Sequence, residues 1–205
     1  MAEHPILFSG PMVRAILDGR KTQTRRVVKP QPAYHPVFQN ELHWRGMDLN
    51  PDSTYRCPYG VPSDWLWVRE TWMLDGADVR PAGMEWDRRV IYRADNPENG
   101  ELFKWKPSIF MPRWASRLTL GITAVRVERL QEISAANAMW EGIERAHLLL
   151  NRLTIEALGN ASSTGLAAID DYAVLWDSLN AKRGYSWESN PWVWVITFEK
   201  EPKEE

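Results

Sequence analysis

Apolar positions along this chain recur with two different spacings, and each change of spacing marks a predicted element. Pro5-Ile6-Leu7-Phe8 is strand-like, after which Met12, Val13, Ile16 and Leu17 fall on one face of a short helix over 11–18. Ser9-Gly10-Pro11 reads as its start, with Pro11 at the first helical position. Gly19 suits a left-handed cap at its end, a conformation cheap only for glycine. A second strand is predicted to begin over Arg25–Val28. From Lys29 to Pro62, prolines at 30, 32, 36, 51, 58 and 62 predict a long excursion with little regular structure. Trp65–Trp72 alternates as a strand with Leu66, Val68, Glu70 and Trp72 on one face, so Glu70 shares the core-facing parity. Arg88–Tyr92 is a further strand candidate, and 73–87 and 94–112 read as loops.

Arg117–Leu130 is the longest β segment. Leu118, Leu120 and Ile122 share one phase, and Val125 and Val127 the other, so a bulge is predicted near Gly121–Ala124. Ser134 is a good N-cap for a short helix ending at Gly142. Residues 144–163 fit a helix followed by a Ser/Thr/Gly linker. Leu166, Ile169, Tyr172, Ala173, Leu175, Trp176 and Leu179 follow helical spacing, so 166–180 is predicted as an amphipathic helix. Trp192–Phe198 is the final strand. This order fits an α+β fold, a mostly antiparallel β-barrel with flanking helices and loop insertions.

Net charge is −2, which argues against global attraction to polyanions, but residues 1–30 hold Arg14, Arg20, Lys21, Arg25, Arg26 and Lys29 against Glu3 and Asp18. Any basic patch is therefore local. Cys57 is the only cysteine, which fits a reducing compartment. No apolar run reaches membrane-spanning length, and Glu3 and His4 interrupt any leader-like pattern, so a cytoplasmic protein is expected. His4, His35, His43 and His147 are scattered without metal-ligand spacing. The chain has 12 tryptophans, which suit either core packing or stacking on bases. Arg113-Trp114, after Met111-Pro112, places a cation beside a ring, for packing or for base and phosphate contact.

The chemistry concentrates in Gly19-Arg20-Lys21-Thr22-Gln23-Thr24-Arg25-Arg26. In an extended strand Lys21 and Thr24 point to opposite faces, whereas in a turn after Gly19 they can converge. A convergent ammonium and hydroxyl beside Arg20, Arg25 and Arg26 suit an anion-binding or acyl-transfer site. On spacing alone, a solvated turn competes with that reading.

The same run satisfies Gly-x-Lys-x-x-Thr-x-Arg through Gly19, Lys21, Thr24 and Arg26, and it resembles the ASCH domain family. That family is a branch of the PUA-like β-barrels associated with RNA and nucleosides. Leu66-Trp67-Val68-Arg69-Glu70-Thr71-Trp72 and the segment Ser134 to Gly142 agree with the resemblance. Cys57-Pro58-Tyr59-Gly60 and Asn190-Pro191-Trp192-Val193-Trp194-Val195 resemble a long bacteriophage or prophage type. The resemblance covers blocks near 5–30, 60–72 and 116–199. It implies one domain over 1–205 with insertions near 30–64, 73–115 and 144–165.

Small bacterial members of the family remove the acetyl group from N4-acetylcytidine. Carried onto this sequence, the resemblance makes Lys21 the general base, Thr24 the nucleophile and Glu141 the proton donor. A threonine hydroxyl needs a neighbour to take its proton, and a buried lysine can do so. Arg26 would stabilise the oxyanion or fix the turn, and Phe8, Arg25, Glu70 and Trp72 would join it around the substrate. Glu70 reads equally as a structural ion-pair partner of Arg26 or Lys21. No cofactor or metal is called for. The expected ligand is a nucleoside, nucleotide or RNA. Competing readings are a non-catalytic nucleic-acid-binding module, a ribonuclease, and a phage adaptor that binds a host protein through its Trp-rich insertions.

Overall fold

Ile6 is buried between two exposed neighbours, the period-two pattern of a strand, β1 (Glu3–Leu7). In the computed structural model, residues 1–32, 37–40, 43–45, 54–75, 89–95, 98, 104–143 and 164–201 are described. Arg88, His35, His147, the 144–163 segment and parts of the other two predicted insertions lie outside them. Helix α1 (Gly10–Leu17) carries proline in its first turn and buries Val13, Ala15 and Ile16. Gly19 follows at φ +71°, as its position after the helix requires.

β2 (Gln23–Val27) starts earlier than predicted. β3 (Val37–Asn40), β4 (His43–Arg45) and β5 (Thr54–Tyr55) form a small antiparallel sheet inside the stretch predicted to be irregular. The predicted 65–72 strand is broken. β6 (Trp65–Arg69) stops before Glu70, and β7 (Trp72–Leu74) leaves to pair with β8 (Val90–Tyr92). β9 (Thr119–Arg129), α2 (Ala135–Trp140), α3 (Thr164–Asn180) and β10 (Trp192–Lys200) complete the order.

The main sheet has five strands in the order β1-β6-β9-β10-β2. It is mixed, because β1 pairs parallel with β6 while the other pairings are antiparallel. The expected closed barrel is not found among the described residues. β1 and β2 are the two edges, and no backbone ladder joins them. The sheet nevertheless curls until its edges face one another, since Arg26 on β2 donates from Nη2 to the carbonyl of Leu7 on β1 at 2.8 Å. A shift of register helps this curl: Thr197 pairs with Ala124 but Phe198 with Ile122, leaving Thr123 as an extra residue on β9. The bulge falls within the predicted window.

β10 is buried on both faces. Trp192, Trp194, Ile196 and Phe198 join Ile6, Phe8, Leu66, Val68, Leu118, Leu120 and Ile122 in the core enclosed by the curl. Val193 and Val195 face the other way, against Ala138, Ala168, Tyr172 and Trp176 of α2 and α3. A third cluster of Trp72, Met111 and Ala115 packs beside β7 and β8. No helix among the described residues is long and apolar enough to cross a membrane.

Glu70 is buried where β6 ends, and its carboxylate meets Arg117: Nε donates to Oε1 at 2.8 Å and Nη2 to Oε2 at 3.1 Å. Arg117 also grips Asp95 at 2.6 and 2.9 Å and lies 4.0 Å over the Tyr92 ring. This network ties the end of β6 to the approach to β9 and to β8. Removing one member leaves a buried charge without its partner, which costs roughly 3–5 kcal/mol. Arg117→Met is therefore expected to destabilise the protein by that order, and Arg117→Met with Glu70→Met by less. Urea unfolding of the three proteins checks this, and a double variant less stable than the single one overturns it.

Candidate functional site

Two helix ends meet at Lys21. The backbone N–H groups of Arg20 and Lys21 donate to the Ala15 carbonyl of α1 at 2.8 and 2.9 Å. The Thr22 N–H donates to the Trp140 carbonyl at the end of α2 at 3.0 Å. Ser134 caps α2 by accepting from the Asn137 N–H at 3.2 Å, which sets the helix phase and puts Glu141 at its C-cap. Gly142 adopts φ +93°, and a Cβ there would lie 3.0 Å from Ala15 Cβ and 3.2 Å from Lys21 Cβ. Only glycine supplies both the backbone conformation and the close approach.

The Lys21 ammonium is fully buried and has three acceptors: the Gln23 carbonyl at 2.7 Å, the Glu141 carbonyl at 2.8 Å and Glu141 Oε2 at 2.8 Å. The other carboxylate oxygen of Glu141 accepts from Arg25 Nη1 at 2.9 Å. Arg25 continues to Gln23 Oε1 at 2.9 Å and to Glu128 Oε1 at 2.5 and 3.1 Å, and Arg126 reaches Glu128 Oε2 at 3.0 Å. Tyr172 of α3 lies under Arg25, with the guanidinium carbon 5.9 Å from its ring centre. Two buried cations and two carboxylates thus alternate along one hydrogen-bonded chain.

The run from Gln23 is strand, not turn, so its side chains alternate. Gln23, Arg25 and Val27 face α2 and α3, while Thr24 and Arg26 face the enclosed core. Phe8 joins the inner group. Its ring centre lies 5.6 Å from Lys21 Nζ and 5.2 Å from the Arg26 guanidinium carbon, and it packs on Phe198. Thr24 is buried, and its hydroxyl makes no hydrogen bond to Lys21 or Glu141.

No protein-family model, curated protein or solved structure matches this chain.

Of the residues expected around the site, the structure joins Lys21 directly to Glu141 and sets Phe8 and Arg26 beside Lys21. Arg25 belongs to the site but as a buried counter-ion on the opposite sheet face from Thr24, not as a free charge for substrate. Glu70 pairs with Arg117, not with Lys21 or Arg26. Trp72 leaves with β7 and packs on Met111 and Ala115, because the strand that was to carry it inward ends before Glu70. Arg113 is held by Glu3, with both contacts at 2.8 Å. Glu128 and Gln23 were not anticipated. The parity of Glu128, opposite to buried Val127, was the available signal; nothing local marks Gln23. Among the described residues no cluster of acidic, histidine or cysteine side chains could hold a metal. Cys57 is buried, which pushes its thiol up to about 12 and removes it as a nucleophile at neutral pH.

Burial holds the Lys21 ammonium below its ordinary 10.5, against the attraction of Glu141, and Arg26 and Arg25 push it the same way as burial. Burial also raises the Tyr172 hydroxyl well above 10, so it stays neutral. Between the lowered Lys21 value and 10.5 the unfolded chain binds more protons than the folded one. Stability contributed by this group therefore rises with pH through that window and is least below it. Lys21→Met is expected to flatten that rise. Urea midpoints of wild type and variant from neutral pH to 10.5 provide the check, and parallel curves contradict the assignment.

Proposed function

We propose that this chain is a PUA-like protein of ASCH type and that its Lys21–Glu141 site hydrolyses the amide of an N-acylated, cytidine-like nucleoside. The observation that carries the reading is the buried 2.8 Å contact between Lys21 and Glu141, two residues 120 positions apart, beside Phe8 and just before the strand that carries Thr24. The curled sheet with facing edges agrees with a barrel-derived architecture.

In this reaction Thr24 Oγ1 attacks the acyl carbon while Lys21, as the free amine, takes its proton. Arg26, two positions along the same face of β2, supplies a cation toward the resulting oxyanion. The C–N bond then breaks, and the leaving amine takes a proton from the carboxylic acid of Glu141. Water hydrolyses the acyl-threonine. The starting protonation state is a tautomer of the salt bridge, reached by moving one proton from Lys21 to Glu141 Oε2. Burial of both groups favours that neutral form, and Arg25 against the other carboxylate oxygen opposes it. Catalytic hydrogen bonds often tighten only with substrate bound, and here Lys21 must exchange one of its acceptors for Thr24.

The three occupied donors of Lys21 favour a second reading, in which the network is a structural joint between β2 and α2 and the protein is no hydrolase. An assay of acetyl release from N4-acetylcytidine separates the two. The hydrolase reading expects turnover by the wild type, loss of at least a hundredfold in Thr24→Ala, and a comparable loss in Lys21→Arg, because a guanidinium stays protonated. Glu141→Gln is expected to retain ligand binding better than turnover. Melting curves show that each variant is folded. A wild type inert on every N-acylated nucleoside rejects the hydrolase, and a Thr24→Ala protein as active as an active wild type rejects Thr24 as its nucleophile.

A further inference from the structure

Residues 104–117 display large apolar side chains on a rigid base. Ile109, Phe110 and Trp114 are 57%, 69% and 64% exposed, yet Met111 and Ala115 between and beside them are buried. Two short 3₁₀ turns, Ser108–Phe110 and Arg113–Ala115, each follow a proline. The segment is pinned on several sides. Lys106 exchanges backbone hydrogen bonds with Trp72 at 2.8 and 3.2 Å, Tyr92 Oη donates to the Ala115 carbonyl at 2.9 Å, and Ser116 Oγ donates to the Val68 carbonyl at 2.8 Å. Trp114 stands edge-on to Trp72 with ring centres 5.9 Å apart.

The charges around this patch are unbalanced. Glu3, Glu70 and Asp95 each hold a cation, Glu3 taking Arg113 and Glu70 and Asp95 taking Arg117, while Glu201 acts on Arg113 without an ion pair. Lys104, Lys106 and Arg69 have no carboxylate partner among the described residues. Lys106 lies 5.0 Å over Trp72, and Arg69 stacks over Trp67 while donating to the Ile109 carbonyl. The patch also leads to the candidate site. Arg69 pairs in register with Leu7, its carbonyl accepts from the Phe8 N–H at 3.1 Å, and the Leu7 carbonyl accepts from Arg26.

Exposed flat rings, unpaired cations and a firm base match the two recurring parts of a single-stranded nucleic acid, its bases and its phosphates. We infer that the 104–117 surface binds a single-stranded nucleic acid. Bases stack on Trp114 and Phe110, and phosphates lie against Lys106, Lys104 and Arg69. The strand then passes over Leu7 toward Arg26, so the substrate of the site is a base within an oligonucleotide. That last step rests on the hydrolase reading; the surface itself does not.

Fluorescence anisotropy with a labelled single-stranded RNA oligonucleotide tests the surface. Binding is expected, with Trp114→Ala weakening it roughly tenfold or more and Phe110→Ala with Trp114→Ala weakening it further. Lys106→Gln is expected to lower the slope of log affinity against log salt by about 0.7. All three side chains are exposed, so the variants should fold, and thermal melts verify it. A duplex of the same sequence is expected to bind more weakly. No RNA binding, binding unchanged by the double aromatic variant, or preference for an acidic peptide over RNA overturns the inference. RNA binding without acetyl release keeps the surface and rejects the hydrolase. Acetyl release from the free nucleoside without RNA binding does the reverse.

Discussion

The carboxylate of Glu141 sits between two buried cations, and the arrangement of the whole site depends on it. One oxygen takes Lys21 and the other Arg25, so a single side chain at the end of α2 fixes both the start of β2 and its third residue. Moving ions out of water costs several kcal/mol each, and here the cost is offset only because every ion has an opposite charge and further hydrogen bonds. The arrangement is therefore intolerant of partial change. Without the Glu141 carboxylate, Lys21 keeps two carbonyl acceptors but no counter-charge, and Arg25 is left to Glu128.

β2 turns this charge network into a sorted environment. Three consecutive residues, Thr24, Arg25 and Arg26, belong to three different settings. Thr24 lies buried on the inner face, Arg25 is neutralised on the outer face beneath Tyr172, and Arg26 spans the gap to β1. The alternation of a strand accomplishes this without any loop, and the ladder to β10 keeps the register from slipping. Phe8 arrives from the other edge of the sheet and covers the side of Lys21 that Glu141 does not. A buried ammonium and a half-buried guanidinium are thereby kept close to one ring.

Much of this was legible from local pattern. Gly19, Pro11, Ser134 and Gly142 are punctuation, and each acts where its backbone chemistry indicates. The phase change around Gly121–Ala124 announced the Thr123 bulge, and the spacing of Tyr172 and Trp176 announced α3. What local pattern could not carry was pairing. Glu70 has inward parity, but parity does not say that Arg117 is the charge waiting for it, and Glu128 takes Arg25 from more than a hundred positions away. Trp72 shows the same limit: alternation runs smoothly through 65–72, while the break before Glu70 depends on pairing with β8, a strand whose spacing is visible but whose partner is not. The contact of Lys21 with Glu141 is equally long-range. It was anticipated only because a family resemblance put the two in one reaction.

The link between Arg26 and Leu7 gives the sheet an uneven mechanical character. A closed five-stranded sheet would have five backbone ladders; here four boundaries are ladders and the fifth is one side chain reaching across. A net hydrogen bond involving a charged group contributes about 1.5–3 kcal/mol, far less than a cooperative run of backbone pairs. Small thermal excursions can therefore part β1 from β2 while Trp194 and Ile196 stay packed behind them. The protein has a built-in fault line, and it runs past Phe8, Lys21 and Arg26.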